Sequence, residues 1–207
     1  MDRVDHLVWA APDLDAGVSR IEAITGIQAA PGGSHPGMGT RNALLSLGDD
    51  TYLEIIAPDP AQSDYRSPRL FQVDRVTSPR LVTWAAKCDD IVQAAGIRLS
   101  DGRSPGEAMT GSRKTPDGRT LAWELTDPYV EIAGGVVPFF INWGDASHPA
   151  PSAPGGAILL ALRATHPDAN YVRAAFGTFG INVPVENGQQ ASLTAVIDTP
   201  RGRIELT

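Results

Sequence analysis

Two side chains that can bind metals or move protons, His6 and Glu54, each stand between apolar residues in a predicted strand. The run 4–11 reads as the first strand, and the run 51–57 as the last strand of the same unit. Side chains alternate along a strand, so each of the two shares its face with the residues two positions away. If both faces point into a curved sheet, an imidazole and a carboxylate meet inside an apolar cavity, where they form part of the shell of a divalent metal. The alternative is a hydrogen-bonded core histidine and a glutamate that ends an exposed face.

Three residues near the start of the next strand are candidates for substrate contact. His35 lies in a Gly-rich segment, 31–39, that we interpret as a loop able to cover the cavity as a lid. A solvated loop histidine is the alternative. Arg41 and Asn42 enter the following strand, and the guanidinium of Arg41 could hold a carboxylate through two parallel hydrogen bonds. Arg41 could equally cover only surface.

Two further residues, Glu124 and His148, are candidates by position. Glu124 follows the turn residue Gly118 by six positions, as Glu54 follows Gly48, and it is available to move a proton. His148 follows a strand end, which places it at the rim of the cavity or in a linker before a Pro-rich run.

The elements that must position these residues repeat along the chain. Strands begin at about Val4, Leu81 and Ala157, and each is followed by a helix and then by further strands. Short motifs recur in the same order: Trp-Ala-Ala at 9–11 and 84–86, and Thr-Pro-x-Gly-Arg at 115–119 and 199–203. We therefore divide the chain into units at 1–58 and 80–145, a partial third unit at 156–207, and connectors at 59–79 and 146–155. The repeats predict an α+β fold with curved, mainly antiparallel sheets and helices on their outer faces.

Composition excludes several classes of function. The chain has 207 residues, 42% of them hydrophobic, and a net charge of −7, so nucleic acid and anionic membranes are poor partners. No run of about 20 apolar residues exists, and residues 1–6 lack the apolar core of a signal peptide. With a single cysteine, Cys88, these features predict a cytoplasmic protein. The chain also lacks the Gly-x-Ser-x-Gly elbow and the Walker loop.

Several segments resemble the vicinal oxygen chelate superfamily, and more narrowly its glyoxalase-like branch. They are DHLVWAAPDL at 5–14, HPGMGTRN at 35–42, YLE at 52–54, VPFFINWGD at 137–145 and HP at 148–149. The resemblance covers residues 3 to 145 and extends more faintly to the end. It implies βαβββ modules whose sheets curve into a shared cup. It also implies a divalent metal, such as Zn, Ni, Mn or Fe, held by a first-strand His and a last-strand Glu, the places of His6 and Glu54.

The second unit departs from the pattern of the metal enzymes. Two alignments place Leu81 or Thr83 opposite His6, and neither is a good metal ligand. Strand order points to residues 139–142 for the counterpart of Glu54, where no carboxylate stands. His148, Glu124 or water completes the shell, or the metal is absent.

The leading hypothesis is a metal-dependent glyoxalase-like enzyme, of the isomerase, lyase or dioxygenase type, that acts on a small oxygenated metabolite. Its metal would polarise two neighbouring oxygens of the substrate, with Glu54 or Glu124 moving a proton. The alternative is a metal-free binding or resistance protein that uses the same cup for a small aromatic or drug-like molecule. A structural paralogue with neither activity is a third interpretation, and a homodimer is one assembly that we consider.

Overall fold

The first unit forms the expected strand–helix–strands arrangement. The computed structural model describes residues 3–66, 68–115, 118 and 120–207. Its first elements are β1 (Val4–Ala10), α1 (Leu14–Thr25), β2 (Ala30–His35), β3 (Thr40–Ser46) and β4 (Tyr52–Pro58). The strands pair in the order β1-β4-β3-β2, and β1 runs parallel to β4. This pairing brings the first and last strands of the unit together, as the strand order of the sequence predicts.

Helix α1 begins and ends at residues suited to those positions. The side chain of Asp13 accepts a hydrogen bond from the Ala16 N–H at 2.8 Å, which caps the first turn. Gly26 ends the helix in the left-handed region, with φ 79°, where a residue without Cβ is favoured. Leu14 and Ile21 point to the sheet and are buried. The helix therefore covers the outer face of the first unit.

The Gly-rich segment that we predicted as a loop is largely strand β2, so that prediction is wrong. Gly33 approaches the neighbouring strand so closely that a Cβ there would lie 1.8 Å from the carbonyl oxygen of Lys114. A glycine at this point lets β2 pair with the second unit, and the barrel closes there. His35 is consequently the last residue of a strand, and it is 3% exposed.

The second unit repeats the first and completes a closed barrel. It consists of β5 (Arg80–Lys87), α2 (Ile91–Gly96), β6 (Ala108–Lys114), β7 (Thr120–Thr126) and β8 (Phe139–Asn142). The barrel order is β1-β4-β3-β2-β6-β7-β8-β5, and of the described strand pairs within this barrel only β1–β4 and β5–β8 are parallel. Two residues of the predicted β6–β7 turn, Pro116 and Asp117, lie outside the described residues. The mainly antiparallel α+β architecture is confirmed.

The barrel has two apolar sides, because neighbouring residues of a strand point in opposite directions. Val8, Ile56 and Phe139 belong to the cluster inside the barrel. Trp9 and Leu53 belong to the larger cluster between the barrel and the helices. Alternation therefore directs His6 and Glu54 inward, onto the faces of Val8 and Ile56.

The third unit has the same order of elements but a different pairing of strands. It contains β9 (Ile158–His166), α3 (Ala169–Phe179), β10 (Val185–Asn187), β11 (Ser192–Thr199) and β12 (Gly202–Leu206). Its sheet order is β10-β9-β11-β12, so its first strand lies beside its second and third strands and not beside its last. Helix α3 packs on the outside of the barrel, where Phe179 and Phe140 place their ring centroids 4.9 Å apart.

The connector between the first two units lies over the inside of the barrel. It forms short 3-10 helices at Pro60–Gln62 and Leu70–Arg75. Leu70, Val73 and Val76 are buried in the inner cluster, which closes one side of the cavity. None of the helices in the described part of the chain is long and apolar enough to cross a membrane.

Candidate active site

A cavity inside the barrel brings together His6 and Glu54. It has a volume of about 500 Å³, its open mouth included, and its wall is mostly apolar. The Nε2 atom of His6 lies 3.8 Å from Oε2 of Glu54, and the two residues are 3% and 5% exposed. The carboxylate and the imidazole therefore face each other with little access to water.

Asp5 fixes the orientation of the His6 ring. Nδ1 of His6 lies 2.7 Å from Oδ1 of Asp5, and the ring stacks on Tyr52 with centroids 4.5 Å apart. An ionised carboxylate only accepts hydrogen bonds, so Nδ1 is the donor of this pair. In the tautomer that carries its hydrogen on Nδ1, the lone pair of the ring is on Nε2, which faces Glu54.

Asp5 is itself held ionised by its neighbours. Burial raises the pKa of this carboxyl, but its close contacts with His148 and His6 outweigh burial and lower it to about 2. Trp143 also donates its indole N–H to Asp5, at 3.1 Å from Oδ2. His148 places Nε2 3.3 Å from Asp5 Oδ2, so it supports the carboxylate behind His6. We predicted His148 as a metal ligand beside Glu54, and the structure places it on Asp5 instead.

The low pKa of Asp5 predicts a loss of stability in acid. A carboxyl whose pKa is lower in the folded state stabilises the fold above its unfolded pKa of 3.8, and this stabilisation disappears as pH falls toward about 2. The difference corresponds to about 2 kcal/mol. We expect the gap in unfolding free energy between wild type and Asp5→Asn to shrink by this amount between pH 5 and pH 2, measured by urea titration. A gap that stays constant with pH would contradict this account of Asp5.

Asn42 and His35 complete the surroundings of Glu54. The Asn42 amide donates to Oε1 of Glu54 at 2.6 Å, which leaves Oε2 directed at His6. His35 places Nε2 3.8 Å from Oε1, and its Nδ1 lies 2.9 Å from the hydroxyl of the buried Thr40. Burial lowers the pKa of His35, although the charge of Glu54 acts against this, so the neutral ring is favoured. Two of the three residues that we predicted for substrate contact thus lie at the carboxylate.

Arg41 and Glu124 lie outside the cavity. Arg41 points away from it on strand β3, and its guanidinium is 3.7 Å from Asp15 on helix α1. Glu124 is exposed because its neighbours Trp123 and Leu125 line the cavity, and alternation turns the residue between them outward. Glu54 and Glu124 therefore do not occupy equivalent positions, although each follows a turn glycine by six residues.

Arg113 is a polar residue of the cavity that our sequence analysis missed. It lies in β6, is 7% exposed, and donates from Nη1 to the carbonyl oxygen of Gly32. A Cβ on Gly32 would stand 2.2 Å from Oδ1 of Asn42 and 3.2 Å from Nη1 of Arg113. A glycine at position 32 is thus what allows Arg113 and Asn42 to approach the same point. The two consecutive glycines, 32 and 33, were the one sequence signal for such a close approach.

The strand registers show which residues of the second unit stand near the predicted ligands. His6 pairs with Ala85 across the antiparallel β1–β5 contact, and Phe139 stands beside Ala85 in the parallel β5–β8 pair. Ile141, two residues further along β8, also belongs to the apolar cluster inside the barrel. Our alignments on the repeated motifs gave Leu81 or Thr83 as the counterpart of His6, and neither these residues nor Ala85 is a good metal ligand.

Two of the expected metal ligands, His6 and Glu54, are present. The candidate counterparts of His6 in β5, which are Leu81, Thr83 and Ala85, include no good metal ligand. Across the part of the chain that the structure describes, no group of three or more His, Cys, Asp or Glu residues is arranged to hold a metal ion. These residues do not fit a complete protein shell for a divalent metal.

A barrel of two βαβββ units, with a polar cluster on its inner wall, defines a protein of the vicinal oxygen chelate class. The model of the glyoxalase-like domain matches residues 4–179, and the chain belongs to this family. No curated protein matches the chain.

The comparison with solved structures finds similar chains at low sequence identity. A hypothetical protein from Staphylococcus aureus is 14% identical, with 99% of this chain and 98% of that chain covered and a TM-score of 0.68. Methylmalonyl-CoA epimerase from Mycobacterium tuberculosis is 19% identical over 67% of this chain and 86% of its own, with a TM-score of 0.43. A hypothetical protein from Bacillus halodurans C-125 is 15% identical over 70% of this chain and 96% of its own, with a TM-score of 0.41. The likeness to the Staphylococcus aureus protein concerns the fold alone.

Proposed function

We propose that the protein is an enzyme that moves a proton on a small oxygenated metabolite inside the barrel, as an isomerase or lyase. One observation carries this proposal: a chain of buried groups in which ionised Asp5 orients His6 and His6 faces Glu54. Catalytic acids and bases are typically found where burial and fixed partners control protonation in this way. The surrounding apolar wall would exclude water from the reacting atoms.

Glu54 is the residue that we assign as the base. Its Oε1 is engaged by Asn42, so Oε2 would take the proton from a carbon next to a carbonyl group. The electron pair of the broken C–H bond would move onto the carbonyl oxygen. The proton would pass from Oε2 to Nε2 of His6, where ionised Asp5 stabilises the resulting imidazolium. Return of the proton to a neighbouring atom gives an isomer, and departure of a leaving group gives a lyase product.

Exchange of substrate hydrogen with solvent tests this proposal without knowledge of the product. We would incubate the protein in D₂O with a panel of small 2-oxo and 2-hydroxy compounds and follow the carbon-bound hydrogens by NMR. Deuterium entering next to a carbonyl group is the expected result. Binding of panel compounds without any exchange would instead support the second candidate.

The second candidate is a metal-free binding or resistance protein that uses the same cavity. The observation that favours it is the apolar character of the second unit, whose residues Ala85, Phe139 and Ile141 belong to the apolar cluster inside the barrel. Such a wall suits an aromatic ligand as well as a substrate. The homodimer and the cytoplasmic location stay predictions, and one chain alone closes the barrel.

Metal dependence can be tested through stability. A metal that binds only the folded state at a hundredfold excess over Kd adds about 2.7 kcal/mol to the unfolding free energy. Because the described residues contain no group of three or more ligands arranged to hold a metal, we expect the same melting temperature with and without chelator, and no metal in protein purified without a metal-affinity tag. A clear drop on chelation would restore the metal-dependent hypothesis, with His6 and Glu54 as its ligands.

A further inference from the structure

Arg113 presents a buried cation to the cavity. Its side chain is 7% exposed and lines the same wall as Glu54, and it donates one hydrogen bond to the backbone oxygen of Gly32. Among the described residues, no carboxylate lies within ion-pair distance of this guanidinium. A buried charge without a partner is unfavourable, and arginine does not lose its proton in proteins.

The surroundings of Arg113 indicate that an anion is its missing partner. Burial lowers the pKa of Arg113, with Tyr52 and Glu54 acting against this, so removal from water has the largest effect on this group. The planar guanidinium matches a carboxylate through two parallel hydrogen bonds. A phosphate dianion would need more positive charge than this wall supplies, since Arg113 is the one Lys or Arg that lines the described cavity.

We propose that Arg113 binds the carboxylate of the substrate, so that the substrates of this enzyme are small carboxylic acids. The proposal rests on the proposed function and names its substrate class. Arg113 and Asn42 both approach the position where a Cβ of Gly32 would stand, and Asn42 holds Glu54. A carboxylate on Arg113 therefore lies on the Glu54 side of the cavity, and the carbon chain attached to it extends toward the base. Arg113 thus acts as a specificity-determining residue.

Matched pairs of acid and amide test the proposal through binding alone. The probes are phenylacetate against phenylacetamide, and butyrate against butyramide, titrated by calorimetry and by the fluorescence of Trp123 and Trp143 at the cavity. Hydrogen bonds to a charged group suggest a preference of about tenfold or more for each acid over its amide. Equal affinity for acid and amide in wild type, or no binding of any of the four, would overturn the proposal without recourse to a variant.

Variants then assign the preference to one residue. Arg113→Gln should lose the preference for each acid over its amide. Arg113→Lys should keep part of it, because the charge remains while the planar fork is lost. Lys114→Gln is the control, since it removes the same charge from the next residue of β6, which is exposed and bonded to Thr120. A preference that survives in Arg113→Gln would refute the assignment.

A third variant separates this proposal from the proposed function. Glu54→Gln should keep or increase the preference for acids, because it removes a nearby negative charge while Arg113 stays. If acids are preferred but no compound exchanges hydrogen with solvent, the carboxylate site stands and the proton-transfer function fails. If exchange occurs with neutral compounds as readily as with acids, the function stands and the role of Arg113 fails.

Discussion

Replacement of Glu54 by glutamine is expected to lower the rate of proton exchange by about 10²- to 10⁴-fold, the usual contribution of a positioned base. Glutamine has the shape of glutamate and still accepts the hydrogen bond of Asn42 through its amide oxygen. It cannot take up a proton at the atom that faces His6. The fold should therefore persist, with circular dichroism and melting temperature close to wild type, while deuterium incorporation falls.

The matched control for this change is Glu124→Gln. Glu124 stands between residues that line the cavity, but it is exposed on the outer face of β7. We expect its exchange rate to equal that of wild type. Equal losses of exchange rate in the two variants would contradict the assignment of Glu54 as the base, which rests on the strand face and not on the spacing from a turn.

The second large effect concerns stability, and it is expected from His6→Ala. Removing a hydrogen-bond partner from a buried group typically costs about 1–3 kcal/mol, and more where that group is charged, as Asp5 is. Asp5 would lose one of the hydrogen bonds that lower its pKa, and Tyr52 would lose the ring stacked on it. Urea unfolding at pH 7 measures the loss. Part of this difference in unfolding free energy should disappear in acid, because Asp5 with fewer partners takes up a proton at a higher pH than in wild type.

His166→Ala is the comparison for this variant. His166 is partly exposed at the end of β9, where its ring accepts a hydrogen bond from the backbone N–H of Asp168. A change of this kind usually costs about 1 kcal/mol or less. Similar losses of unfolding free energy in the two variants would mean that His6 is an ordinary core histidine, which was the alternative interpretation of the sequence.

Local patterns were enough to predict the first strand and the first helix. The apolar run that starts at Val4, the cap at Asp13 and the stop at Gly26 depend on neighbouring residues only, and all three appear in the structure. Alternation along β1 and β4 then predicts that His6 and Glu54 meet, since both lie on the inner faces of paired strands. This part of the site needs no information from distant segments.

The other half of the site depends on contacts between distant strands. Arg113 reaches the cavity only because β6 closes the barrel against β2, and no local pattern states that pairing. For the same reason the sequence suggested Arg41 as the arginine for a carboxylate, although its strand face points away. The sequence analysis did not single out Asp5, because alternation along a strand places the neighbour of His6 on the opposite face. An irregularity in the β1–β5 pairing between Val4 and His6 accompanies their close approach.

Because a single chain supplies both halves of the barrel, the two halves can change independently of each other. In a barrel assembled from two identical subunits, every substitution appears twice, so a ligand lost on one side is lost on the other. Here one half retains His6 and Glu54, while inward residues of the other half, such as Ala85 and Ile141, are apolar. For protein engineering, this means that the apolar half can be varied to accept new substrates while the residues assigned to the chemistry stay fixed. A library restricted to the inward positions of β5 and β8 would exploit that separation.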